Sequence, residues 1–295
     1  MCRYAEELRV TVFRLYLAFS IVMPLGVFAQ DFGVTPEKAT QGELLQVTGS
    51  GAARSARLKG RTIPLYEQPP GGESLGLMPI PVLAKPGVYQ LEWLDAGGAV
   101  LHTQTVMVKN AHYPVQNVVL SKALSQLRST SDERDRVSEF QKEQSTVRYW
   151  SFPLQAPLNG CLTSLFGVQR LHNGKPTGDF HAGLDQRGAT GTPIHAVTAG
   201  IVRLAGQFAL HGGTVGVDHG QGLKSIYLHM SKVAAKEGDH VQAGDVIGYV
   251  GSTGRSTGSH LHWALYADGE PVNPLQWVHL TPCEKAATKR VAKKH

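Results

Sequence analysis

Beyond its N-terminus the chain has no apolar run long enough to cross a membrane. It has no Ser-His-Asp order, no pair of catalytic carboxylates and no phosphate-binding Gly-Lys-Ser loop; the stretch "GTPIHAV" is not followed by a lysine. Charged residues make up only 18% against 42% hydrophobic, the balance of a soluble globular protein. Cysteine is scarce, at 3 residues in 295. Turn formers are plentiful instead: 33 Gly and 16 Pro favour short strands joined by turns.

The N-terminus is a separate case. Arg3, Arg9 and Arg14 lead into "LYLAFSIVMPLGVFA" at 15–29. A basic start, an apolar centre and small residues at Val27 and Ala29 predict a signal peptide over 1–29, cut before Gln30. The alternative is an uncleaved anchor. Either places the remainder outside the inner membrane, in a periplasm or cell envelope. Cleavage would remove Cys2 and leave Cys161 and Cys283 as a disulfide or as two unconnected thiols. The formal charge of +6 suits polyanions. In that compartment these are envelope polymers, with no call for nucleic acid. Residues 281–295 read as a solvated basic tail.

Residues 30–110 read as short strands, "ELLQVTG", "GVYQLEWLD" and "AVLHTQTVMVK" among them, broken by "PPGGE", "KPG" and "AGG". This predicts an immunoglobulin-like β-sandwich without catalytic clusters, a spacer or docking module. Residues 111–156 form a charged linker. Its centre "SDERDRVSEFQKEQ" predicts a solvated helix with Ser131 as a candidate cap and Arg134 where a capping box needs Glu or Gln. Over 157–280 glycine becomes dense and strands return, giving a second, antiparallel β-domain. The fold class is thus mainly β throughout.

Histidine gathers in that last domain. In "GRSTGSHLHW" the pair His260 and His262 would face one way on a strand and could converge on a metal. With 13 His in the chain, chance alone gives about 0.6 such pairs, so the pair is weak by itself. "FHAGLDQRG" holds His181 and Asp185. Read as a strand, it puts 181, 183 and 185 on one face, with Gly183 leaving room for a metal and its water. "SIYLHMS" would place Tyr227 and His229 together on a face.

Taken together, "HAGLD", "YLHM" and "GSTGRSTGSHLHW", preceded by "GDHVQAGDVIGYV", resemble the LytM/lysostaphin-type zinc endopeptidases of bacterial cell walls. The resemblance covers about 157–277. The sandwich resembles, more loosely, a module that precedes such peptidases. The resemblance implies one zinc ion held by His181, Asp185 and His262, with His260 and His229 as catalytic histidines outside the ligand set. His260 would be the base and His229 the polarising group, or the reverse, and Tyr227 could line the cleft. Three ligands leave a corner for water, which the metal acidifies. Ser259 stands where the family often has proline. The implied substrates are peptide cross-links of peptidoglycan, D,D-links by preference, with an envelope protein as a possible partner of the N-terminal module. Two other classes compete. One is a catalytically silent wall-binding scaffold or amidase activator. The other is a biotinyl or lipoyl carrier, suggested by "KEGDHVQAGDVIGYVG" but without a suitably placed lysine.

Overall fold

The computed structural model describes residues 31–69 and 72–284. The expected leader over 1–29 and nearly all of the basic tail lie outside the described residues. Among those described, no helix is long and apolar enough to cross a membrane.

The N-terminal part forms two sheets. One is ordered Phe32–Thr35, Leu44–Gly49, Ser74–Pro79, Tyr66–Glu67. The other is ordered Lys38–Thr40, Val100–Lys109, Gly87–Leu94, Ser55–Leu58, Arg61–Pro64. Period-two alternation sends Leu45 and Val47 inward, where they pack with Ile63, Met78, Trp93 and Val106 from both sheets. The indole N–H of Trp93 donates across the gap to the Thr48 carbonyl at 2.8 Å.

The opposite face of the first sheet is covered too, so every residue of Ser74–Pro79 is buried. Leu44, Leu75 and Leu77, joined by Val82, belong to the same apolar cluster as the C-terminal strands. Gln276 exchanges two hydrogen bonds of 2.8 Å with the Leu44 backbone. Arg61 pairs with Asp268 and Glu270. The N-terminal unit is therefore packed on the C-terminal one through a shared apolar cluster with polar contacts beside it, and does not stand apart as a spacer.

The expected linker helix spans Ser131–Lys142, but its cap is Thr130, whose Oγ1 accepts from the Glu133 N–H. Shifting the cap by one residue turns the failed pattern into Thr-x-x-Glu. Glu133 does not reach back, however; its carboxylate accepts from the Leu210 and His211 backbone N–H groups and meets His211 Nδ1. The helix is not merely solvated, since Phe140 is buried with Leu204, Phe208, Ile226 and Leu228. The Lys224 ammonium donates to the Phe140 and Glu143 carbonyls. Upstream, Val115–Val118 adds a parallel strand to the hairpin of Gln169–His172 and Lys175–Phe180.

The C-terminal sheet runs Leu162–Ser164, Leu184–Arg187, His260–Ala267, Leu223–Met230, Gly212–Gly220, Gly200–Phe208, His240–Val241. All neighbours along it are antiparallel. Cys161 and Cys283 are bonded, 122 residues apart, and brace the edge beside Leu184–Arg187.

The structure corrects the placement of Tyr227. It is fully buried in the core, not exposed to a cleft. Its hydroxyl accepts from the Val197 N–H at 3.0 Å and lies 2.9 Å from Ser225 Oγ. Ser225 in turn meets His219 Nε2, while His219 Nδ1–H donates to the Ala199 carbonyl. The alternation that would have paired Tyr227 with His229 breaks because His229 has φ 63°, which re-aims the strand end.

Two predictions follow from this core. Burial holds the His219 imidazole down to about 4, with the Ala199 carbonyl opposing the shift. The unfolded chain takes up that proton near 6.5. Stability present above pH 6.5 should therefore decline as pH falls towards 4, by on the order of 3 kcal/mol. Urea melts across that range check it, and a flat profile would contradict it. Replacing both Cys161 and Cys283 by Ser should cost about 2–5 kcal/mol, read in the same melts.

Candidate metal centre

Register builds the centre. Leu184–Arg187 pairs with His260–Ala267 so that Asp185 lies opposite His262. His181 does not share a strand with Asp185, as the sequence had suggested. It sits in the loop after Lys175–Phe180, anchored by its N–H to the Val168 carbonyl at 2.8 Å. Gly183 is required for a different reason from the one expected. A Cβ there would stand 2.3 Å from the Trp263 carbonyl oxygen, so glycine admits the neighbouring strand and does not make room for a metal.

His181 Nε2, Asp185 Oδ1 and His262 Nδ1 converge, with separations of 3.0, 2.9 and 2.9 Å. His181 Nδ1 is 2.8 Å from the Leu165 carbonyl, so that nitrogen carries the proton and Nε2 turns a lone pair inward. Burial by itself would raise the Asp185 carboxyl, but the neighbouring His181 and His262 pull it well below the usual carboxylate range. Lone pairs of an imidazole and a carboxylate thus face each other across 3.0 Å. Such a gap needs a positive charge, a proton or a metal cation. The three atoms fit one divalent ion of the borderline type that accepts imidazole and carboxylate, which suits zinc.

Arg170 was not anticipated. Its guanidinium donates to Asp185 Oδ2 and to Ser164 Oγ, each at 3.3 Å, so that Oδ1 is the oxygen turned inward. No local motif could have announced it, since the contact depends on the hairpin folding back.

The two other histidines of the sequence prediction are also here. His229 Nδ1–H donates to the Thr253 carbonyl and His260 Nδ1–H to the Gly258 carbonyl, both at 2.8 Å. Each ring keeps Nε2 uncommitted, and the ring centres are 5.2 Å apart. His260 Nε2 is 3.8 Å from Asp185 Oδ1. Burial, then the charges of His262 and His260, hold His229 down to about 3. It is therefore neutral, with Nε2 an acceptor. These five side chains line one cleft together with Val118 and Leu120 from the linker and with His172, His211, Arg255 and Ser256. The linker thus forms part of the cleft wall. His172 and His211 face the cleft; the buried His219 does not.

A β-domain that gathers two imidazoles and a carboxylate at an open cleft defines the class as a metallopeptidase type of centre. Residues 179–274 match the model of Peptidase family M23, so the chain carries a peptidase M23 domain. It is 40% identical over 130 residues to the DD-carboxypeptidase/endopeptidase Mpg of Neisseria meningitidis, covering 43% of this chain and 30% of that protein. It is 36% identical over 115 residues to the peptidoglycan DD-endopeptidase ShyA of Vibrio cholerae, covering 39% and 27%. The chain thus spans under a third of the length of these curated relatives. A peptidase M23 crystal structure from Pseudomonas aeruginosa superposes with a TM-score of 0.62 at 29% identity, covering 81% of this chain and 93% of that one.

The hold of Arg170 on Asp185 is testable. Arg170→Met should weaken zinc binding about 10–100-fold in competition with a chelating dye, as loss of outer support does at metal sites. Unchanged affinity would show that Asp185 needs no such restraint.

Proposed function

We propose that the chain is an exported, zinc-dependent endopeptidase that hydrolyses peptide cross-links of bacterial peptidoglycan, with D,D-links as its substrates. The observation that carries this is the convergence of His181, Asp185 and His262 within 4.8 Å beside two further histidines with free Nε2 atoms. The activities for which the Neisseria and Vibrio relatives are named support the substrate. The Cys161–Cys283 bond supports an oxidising compartment, and with it the leader over 1–29. The same proposal divides the mature chain into an immunoglobulin-like module over 30–110 that would dock an envelope partner, a linker over 111–156 and the peptidase over 157–280. A silent wall-binding scaffold would have no need of all five cleft side chains.

When bound, zinc would supply Lewis acidity, polarising the scissile carbonyl and acidifying the attacking water. The residues supply the proton traffic. His260 Nε2, an acceptor while its Nδ1–H is held by Gly258, takes the proton of the attacking water and returns it to the leaving amine. His229 begins as an acceptor too, because Thr253 holds its proton on Nδ1. Its resting task is to orient water, and it can donate to a developing oxyanion only once it is protonated. The cleft holds about 250 Å³, below the size of a typical drug-sized cavity, and so takes the atoms flanking one bond of an extended peptide.

The test uses purified cell wall. His262→Ala should abolish both zinc binding and release of muropeptides. His260→Ala should keep zinc while turnover falls by about 10²–10⁴. Mass spectrometry of the released muropeptides identifies the bond. Wall digestion by His262→Ala at the wild-type rate would remove the ligand assignment.

A further inference from the structure

The cleft holds a guanidinium that the metal ligands do not use. Apart from Asp185, the acid lining it is Asp179, whereas Arg170, Arg255, His172 and His211 all face it. Arg170 is engaged with Asp185 and Ser164. Arg255 is not engaged. It lies in the turn "GSTGRSTGS", where its backbone N–H donates to the Leu210 carbonyl at 2.8 Å. Gly254 before it has φ 70° and packs against the Leu210 and His211 backbone, so a Cβ there would stand 2.5 Å from the Leu210 oxygen. The backbone under Arg255 is thus fixed. Next to it, Ser256 Oγ lies 3.3 Å from His260 Nδ1. Among the described residues, the guanidinium of Arg255 has no hydrogen-bond or ion-pair partner. It feels the charges of Asp179, Arg128 and Arg170, and His172 feels both Arg255 and Arg170. With Arg170 committed to Asp185 and His211 to Glu133, Arg255 is the cleft cation left without a hydrogen-bonded counter-charge, a place that an anion on the ligand can take.

We infer that Arg255 is a specificity-determining residue that binds a free carboxylate on the substrate, on the carbon that bears the leaving amine. The inference rests on the endopeptidase reading. A D-alanyl–diaminopimelate cross-link has that carboxylate beside the scissile amide, and a terminal D-alanyl-D-alanine presents the same group in the same place. An oligoglycine bridge has none. The planar fork of a guanidinium matches a carboxylate with two parallel hydrogen bonds, and its position beside the His260 turn puts the contact on the catalytic wall. One contact would then admit both internal cross-links and free peptide ends while rejecting bridges without a charge.

The experiment compares two cross-linked muropeptides on the zinc-loaded protein, one with the free carboxyl beside the scissile bond and one with that carboxyl amidated. The wild type should favour the free acid by about tenfold or more in kcat/KM. Arg255→Gln should bring that ratio close to one, and Arg255→Lys should keep part of it. A structural role for Arg255 would instead lower both rates and leave the ratio alone. Equal wild-type rates on the two peptides would overturn the inference. Calorimetric binding of the amine-side product, free or amidated, reads the same contact without turnover. A tenfold preference there supports Arg255, and equal affinity overturns it. A wild type that shows the binding preference but cleaves neither peptide would overturn the endopeptidase reading and leave the role of Arg255 standing.

Discussion

The centre depends on one pairing, that of Leu184–Arg187 with His260–Ala267, which sets Asp185 opposite His262. Side chains alternate along a strand, so a slip of one residue would turn Asp185 away from the histidine it must meet. Several features hold the register. Gly183 lets the strands approach over the Trp263 carbonyl, where any side chain would collide. Gln186, buried on the opposite face, donates to the Leu158 and Gly160 carbonyls. On the outer side, Leu162–Ser164 pairs with the aspartate strand and is closed by the Cys161–Cys283 bond. A covalent brace therefore sits one strand from the ligands.

A second layer of order comes from backbone carbonyls. Leu165, Thr253 and Gly258 each fix the proton of one histidine on Nδ1. That choice leaves Nε2 of His181 for the metal and Nε2 of His229 and His260 for water. The three carbonyls belong to loops between strands, so the loops set the protonation pattern while the sheet sets the distances. Burial lowers His229 and His262, and Asp185 stays ionised among them. The site is preorganised as lone pairs around a gap, the arrangement that favours a cation over a proton.

Much of this was legible in the sequence. Glycine and proline density announced the β architecture, and the resemblance carried by "HAGLD" and "GSHLHW", more than spacing, pointed to His181, Asp185 and His262, which do meet. What could not be read depends on three-dimensional returns of the chain. The loop at His181, the left-handed His229 and the buried Tyr227 all break a strict strand alternation. Arg170 reaches Asp185 only because its hairpin folds back over the ligand strand. The capping residue was missed by one position, since Thr130 and Ser131 are chemically alike and the diverted Glu133 hides the pattern. The docking of the N-terminal sheet was also unreadable, because Leu44, Leu75 and Leu77 look like ordinary strand residues until both faces are seen covered.

That docking gives the peptidase part a shared core with the module before it, and the linker strand supplies Val118 and Leu120 to the cleft wall. The cleft wall consequently extends beyond the matched 179–274 segment to Val118, Leu120, Arg170 and His172. The most direct test of the account is X-ray absorption at the zinc edge on the purified full chain, with the metal content measured alongside. The account predicts one zinc per chain with two imidazole nitrogens and a carboxylate oxygen in its first sphere, and loss of one imidazole in His181→Ala. A protein that takes up no zinc, or a sphere unchanged by that substitution, would contradict it.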